Sequence, residues 1–405
     1  PDRGYKGWLL CVIAASGCLL GVSTATASEL DAYLEAVRIE HGLPALAAAV
    51  VINGEIAAVS AVGTRVAGSD IAVTLDDRFH IGSNTKSMTA TLAGMMVEEG
   101  LLSWDATVGA VLGAAHPGLS DSLAAATLEQ LLSHSSGIPG DNDEILALYF
   151  DDSAFDDNPH ALRAQLLDQW QHHEIEVPEG SPFQYSNLGY LIAGMMIETV
   201  SGVPWEQMMH ERIFVPFGMS TAGLGAQATN GLIDAAVGHR VFADGRVAPM
   251  LWGNGADMPT LLGPAGNAHM SVQDYARWAA WNADGGRHGP QVLAPETLAH
   301  IHAEHVQTPV RENPPPGTPG TGGYGLGWGL VQFDWAERPL LRPPRAAYEV
   351  HGPTGIDGWD WPAALRGPEP GHAVVSSSGD MARFYGSVSP GMRLPVRASG
   401  GHGAG

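Results

Sequence analysis

The chain has 405 residues, which at about 150 residues per domain is a prior for two or three structural units. Its 45% hydrophobic content is enough for a sizeable core and argues against general disorder. Forty-three acids against 20 bases give a formal charge of −23, which repels phosphate and argues against nucleic acid or an anionic membrane surface as partner.

In chain order, residues 1–27 read as a secretory signal outside the fold. Arg3 and Lys6 form a short basic stretch, an apolar run covers Trp8 to Val22, and Ala25-Thr26-Ala27 has the small-x-small pattern of a cleavage site. Both cysteines, Cys11 and Cys18, fall inside that segment. The exported protein is therefore expected to carry no disulfide and no cysteine metal ligand, in a periplasmic or secreted location. No later segment has 18 uninterrupted apolar residues, so no membrane span is expected in the mature chain.

Glu29 to His41 has helical apolar spacing, with Leu30, Tyr33, Leu34 and Val37 recurring on one face. Ala45–Ile52 and Ile56–Val62 read as strands joined at Asn53-Gly54, a hairpin signal. From Met88 a helical pattern runs to Gly100. Further helices are expected over Leu128–Ser133, Ala161–Gln171 and Leu188–Val200, near Ser271, and after Pro295. Residues 307–323 read as a Pro/Gly loop and Tyr324–Phe333 as a strand. Strands at both ends around a helical middle predict an α/β (α+β) fold, an antiparallel sheet flanked by helices with a large helical insertion. The expected division is 28–90 and 261–350 for the sheet domain and 91–260 for the mostly helical part. Residues 351–405 form an atypical tail, rich in Pro, Gly and Arg, that reads as diverged or translated in a shifted frame.

The chemistry gathers at Ser83-Asn84-Thr85-Lys86. On a helix, residues three apart share a face, so the lysine amine can reach the serine oxygen. Free serine is a poor nucleophile and needs a base, and a desolvated lysine can supply one. The bases are 18 arginines and only two lysines, one of them in the leader, so the retained Lys86 points to a task that a permanently charged guanidinium cannot perform. Tyr185-Ser186-Asn187 opens a helix. Its tyrosine, held against an ammonium, can act as a phenolate base, and its asparagine can bind a substrate amide.

These motifs resemble the serine β-lactamase and penicillin-binding-protein superfamily, in its class C-like branch, which includes D-alanyl-D-alanine carboxypeptidases and family VIII carboxylesterases. Phe79 to Lys86 is similar to the nucleophile motif and Gly100 to Asp105 to the segment after it. Leu128 to Gly137 resembles the loop before the second motif. Phe183 to Gly189 followed by Ile213 to Met219 resembles the tyrosine motif and its sequel. The resemblance implies a β-lactamase/transpeptidase-like fold, with Ser83 as nucleophile, Lys86 as its partner, Tyr185 as general base and Asn187 as substrate ligand. The implied activity is hydrolysis through an acyl-enzyme on β-lactam or D-Ala-type amide bonds, of a small-molecule or peptidoglycan-type substrate, with no metal and no organic cofactor. A short-chain carboxylesterase is the alternative within the superfamily, and a non-catalytic penicillin-binding pseudo-enzyme the alternative outside enzymes. The third motif, K-T-G or H-x-G, has its nearest candidate at His351-Gly352-Pro353-Thr354-Gly355, with the glycine one position early and a proline lacking an N–H. His351 is the substrate-binding candidate there.

His300-Ile301-His302-Ala303-Glu304-His305 imitates the H-x-H-x-D-H zinc pattern of metallo-hydrolases. Read as a helix, it lets His302 and His305 share a face and leaves His300 out.

Overall fold

The computed structural model describes residues 9–15, 27–52, 54–150, 158–241, 246–251, 258–310, 320, 322–330 and 373–375. From residue 27 the chain runs through a helix and an antiparallel hairpin. Helix α1 (Ala27–Glu40) leads into the hairpin of β2 (Ala45–Ile52) and β3 (Glu55–Gly63), which pair antiparallel. β2 is an unbroken apolar run and is buried from Ala45 to Val51, as a strand covered on both faces must be. Both α1 and a later helix, Val272–Ala283, lie against this sheet.

One strand departs from the sequence expectation. Leu9–Ala15, inside the segment read as a leader, forms β1 between β2 and a short distant strand (Ala373–Val375). It runs parallel to the first and antiparallel to the second. The same run of apolar residues suits a leader core and a strand inside a sheet equally, because both select only for hydrophobicity.

After the hairpin come a short strand β4 (Phe79–His80), a 3₁₀ turn (Gly82–Asn84) and helix α2 (Thr85–Glu98). Six helices of the insertion follow: α3 (Val108–Leu112), α4 (Asp121–Ala125), α5 (Leu128–Leu132), α6 (Asp143–Tyr149), α7 (Pro159–Trp170) and α8 (Asn187–Ser201). Their starts are legible locally. Thr107, Ser120, Thr127, Asn142, Asn158 and Ser186 each accept a backbone N–H as N-cap, and Thr127 with Gln130 completes a capping box. The short helix α9 (Trp205–Met208) runs into a π-helical turn, and strands β5 (Gly223–Leu224), β6 (His239–Val241) and β7 (Val247–Pro249) follow. The chain returns to the sheet region through α10 (Gly263–Gly266), β8 (Ala268–Met270), α11 (Val272–Ala283) and α12 (Pro295–His302).

α8 is apolar around its whole circumference and buried from Asn187 to Glu198, the signature of a central helix rather than a surface one. It packs on α2, which is itself buried from Thr85 to Met96. A Cβ on Gly194 of α8 would stand 2.4 Å from the Pro264 ring, so the absent side chain is what lets α10 seat on α8. Arg163 on α7 is fully buried and ion-paired to Glu198 of α8 (2.5 Å) and Glu206 of α9 (2.8 Å), which neutralises a charge that would otherwise be costly there. A single hydrophobic cluster runs from β2 through α2 and α8 to α11, so sheet and insertion share one core.

The strand expected over Tyr324–Phe333 is interrupted. β9 (Val306–Gln307), β10 (Gly323–Tyr324) and β11 (Gly329–Leu330) form a small antiparallel sheet, with a turn at Gly325–Trp328 where Gly327 takes φ +80°. Residues 331–333, the third-motif candidate His351 and most of the 351–405 tail lie outside the described residues.

Candidate active site

Ser83 sits half-buried in the 3₁₀ turn that feeds α2, and Lys86 lies one turn on. The turn is held from both sides. Thr85 Oγ1 donates to the Gly82 carbonyl (2.7 Å) and accepts from the Ala268 N–H of β8 (3.1 Å), while the Ile81 N–H donates to the Ala268 carbonyl. Lys86 has 0% exposure, and its Nζ meets three oxygens: Ser83 Oγ at 3.1 Å, Asn187 Oδ1 at 2.7 Å and the Ala265 carbonyl at 2.7 Å. The rings of Tyr185 and Tyr190 lie 4.8 and 5.2 Å from the same nitrogen. The structure therefore brings Ser83, Lys86, Tyr185 and Asn187 together.

The partners of Lys86 serve either charge state. Asn187 Oδ1 and the Ala265 carbonyl only accept, whereas the Ser83 hydroxyl both donates and accepts. An ammonium gives its third proton to Ser83 Oγ. A neutral amine keeps its two donated bonds and turns its lone pair on the Ser83 O–H. Proton transfer between the two groups then requires no movement of the other partners, the condition for a nucleophile and its base held ready.

Asn187 is committed on both ends. Its Nδ2 donates to Asp141 Oδ2 at 2.6 Å, and the Tyr149 hydroxyl donates to Asp141 Oδ1 at 3.2 Å. Burial raises the Asp141 carboxyl above the usual range, against the pull of Asn187, Lys86 and Tyr149. The Tyr149 phenol is pushed well up by its own burial and by Asp141. Asp141 thus anchors the asparagine that holds the lysine, a link for which the sequence offers no signal.

Two histidines brace the loops that carry Ser83 and Tyr185. His80 Nδ1 accepts the Gly82 N–H (3.0 Å), one residue before Ser83, and His134 Nδ1 accepts the Ser186 N–H (3.1 Å), one residue after Tyr185. His134 stands at φ +60°, also takes the Gln184 N–H on its carbonyl, and packs its ring 4.2 Å from that of Tyr185. Both rings are held neutral. Burial, with His269 nearby, lowers His80 to about 3, and burial, with Lys86 nearby, takes His134 well below its ordinary value. Across the site, Tyr324 stacks on His134 and Phe183, and a Cβ on Gly327 would stand 2.8 Å from the Lys86 carbonyl.

The zinc-like run does not behave as the helical reading predicts. α12 ends at His302, whose ring is buried, donates to Asn282 Oδ1 (3.0 Å) and meets Trp328 edge-on. His305, past the helix end, joins His300 instead of His302, because the chain has left helical geometry at Ala303.

A family model described as Beta-lactamase matches residues 30–352. The chain belongs to the beta-lactamase family. "Penicillin-binding protein 4" of Amycolatopsis lactamdurans is 29% identical over 65% of this chain and 66% of its own length. "Unguisins hydrolase ungD'" of Aspergillus campestris is 26% identical over 76% of this chain and 53% of its own. This beta-lactamase-family chain therefore spans between about half and two thirds of those relatives. Among solved structures, the octameric penicillin-binding protein homologue from Pyrococcus abyssi aligns with a TM-score of 0.58 at 22% identity, covering 75% of this chain and 64% of that one. The D-amino acid amidase from Ochrobactrum anthropi aligns at 0.55 and 23%, covering 74% and 79%. The expected fold, mixed helix and sheet of the β-lactamase/transpeptidase type, is thereby borne out. The family includes hydrolases.

Proposed function

We propose that this protein is a serine hydrolase that works through an acyl-enzyme on β-lactam or D-Ala-type amide bonds. The observation that supports it most is the Lys86 amine, sealed from solvent and hydrogen-bonded to Ser83 Oγ at the mouth of α2. In this reading Ser83 attacks the amide carbonyl as Lys86 and Tyr185 relay its proton to the leaving nitrogen, and the Ser83 backbone N–H is one donor to the oxyanion. Asn187, fixed by Asp141 and Lys86, keeps one amide hydrogen and one lone pair for a substrate amide.

The leader at 1–27 supports a periplasmic or secreted location, where cell-wall peptides and β-lactams occur. No helix among the described residues is long and apolar enough to cross a membrane. A fluorescent penicillin is expected to label the purified protein covalently, and Ser83→Ala to abolish labelling. Equal labelling of the variant refutes the nucleophile assignment. Parallel rates on nitrocefin and on a short-chain nitrophenyl ester separate amide from ester preference, and labelling without turnover on any acyl donor identifies a non-catalytic binder.

A further inference from the structure

Away from Ser83, the end of α12 and the start of α5 converge on a second cluster. His300, in the last turn of α12, places Nε2 3.0 Å from Glu129 Oε2, and His305 places Nδ1 3.4 Å from Glu129 Oε1. One ligand atom from each residue lies within 4.8 Å of the others. We propose that Glu129, His300 and His305 form a binding site for a zinc-class divalent transition-metal ion, with a solvent molecule completing the coordination.

Three features carry the assignment. First, His305 Nε2 donates to the His300 carbonyl at 2.9 Å, which leaves the lone pair of a neutral ring on Nδ1, facing the Glu129 carboxylate. With the ring neutral, two acceptors face each other 3.4 Å apart, an arrangement that a proton on Nδ1 or a metal ion relieves, and a backbone carbonyl that fixes the tautomer of the ring is the usual outer partner of a metal-bound histidine. Second, tetrahedral bonds of about 2.0–2.1 Å put neighbouring ligand atoms about 3.3 Å apart. The 3.0 and 3.4 Å separations, each to a different oxygen of the one carboxylate, are of that scale, and with one ligand atom per residue all three lie within 4.8 Å, so a bound ion would draw them slightly together. Third, two imidazoles and a carboxylate suit zinc, nickel or copper rather than calcium or magnesium, and the C-terminal end of a helix favours a cation. His300 packs against Trp104, whose carbonyl accepts the Glu129 N–H, so two of the ligands share one support.

The bound ion would act as a strap. α5 leads directly into the loop bearing His134, and the His305 N–H donates to the Tyr324 carbonyl, so the site joins the insertion to the β9–β10 sheet behind the tyrosines. The inference is independent of the acyl-enzyme reading and is tested on the full chain after EDTA treatment and dialysis. Isothermal titration with ZnCl₂ is expected to give one saturable site. Co²⁺ is expected to give visible bands of a four- or five-coordinate ion, and Zn²⁺ to raise the melting temperature. Loss of an outer-shell partner weakens metal sites by about 10–100-fold, so removing a ligand through His305→Ala or Glu129→Gln should weaken binding by at least that much. His172→Ala, at an exposed histidine elsewhere, should leave binding unchanged. Absence of a saturable site, or equal affinity in the ligand variants, overturns the proposal. Penicillin labelling of the metal-free protein reports separately on Ser83.

Discussion

Acid should unfold this protein through its buried imidazoles rather than its surface charge. His80 and His302 are held at about 3 in the folded chain, chiefly by burial, against about 6.5 when unfolded. Because the folded values are the lower ones, protons bind the unfolded chain preferentially. The stability this provides is complete above about pH 6.5 and is withdrawn as the pH falls towards 3. Integrated to pH 4.5, each histidine withdraws on the order of 2–3 kcal/mol, so the two together remove about 5 kcal/mol, and His134 adds to the loss in the same direction. Domains are stable by about 5–15 kcal/mol in total, so the loss is decisive. Urea unfolding followed by tryptophan fluorescence at pH 7.5, 6.5, 5.5 and 4.5 is expected to show a steep fall in midpoint over that range. His302→Gln removes one titrating ring and should flatten the fall by about 2–3 kcal/mol at pH 4.5 relative to neutral. Activity should fail along with stability, because unfolding takes away the His80 and His134 rings that accept the Gly82 and Ser186 N–H groups beside Ser83 and Tyr185. An unfolding free energy that is constant or rising between pH 6.5 and 4.5 would refute the reasoning.

Asp141→Ala frees the Asn187 amide from a charge-assisted bond of about 1.5–3 kcal/mol. It is expected to cost roughly 10–100-fold in kcat/KM on whichever acyl donor proves active, with Asp141→Asn intermediate. Gly327→Ala sets a methyl 2.8 Å from the Lys86 carbonyl at a positive φ. It should lower stability by about 1–3 kcal/mol in urea titrations and slow penicillin labelling, whereas Gly100→Ala, with open space around it, should cost only its backbone strain. Intact mass of protein recovered from outside the cytoplasm is expected to begin at Ser28, and a mass retaining residues 1–27 would contradict the leader reading.

What was legible in the sequence was what is local. Ser83 and Lys86 are three residues apart, so helical geometry alone joins them. The helix starts announce themselves through caps such as Ser186 and Thr127. The rest depends on contacts across long loops. Lys86 reaches Asn187 over 101 residues and the Ala265 carbonyl over 179, and a backbone carbonyl carries no residue-type signal at all. Asp141 reads as an ordinary loop acid until the packing of α6 buries it. At 300–305 the shared-face expectation fails for a geometric reason: it holds only while the helix lasts, and the helix stops at His302.

The seclusion of Lys86 also bears on how the molecule can be handled. Apart from Lys6, it is the only lysine in the sequence, and in the folded state it has no exposed surface. On the leader reading, loss of residues 1–27 leaves succinimidyl dyes, biotin esters and aldehyde resins a single accessible amine within this sequence, the α-amino group. A chain so processed is expected to be tethered at one defined point. A second equivalent of dye taken up on warming would count unfolded molecules directly.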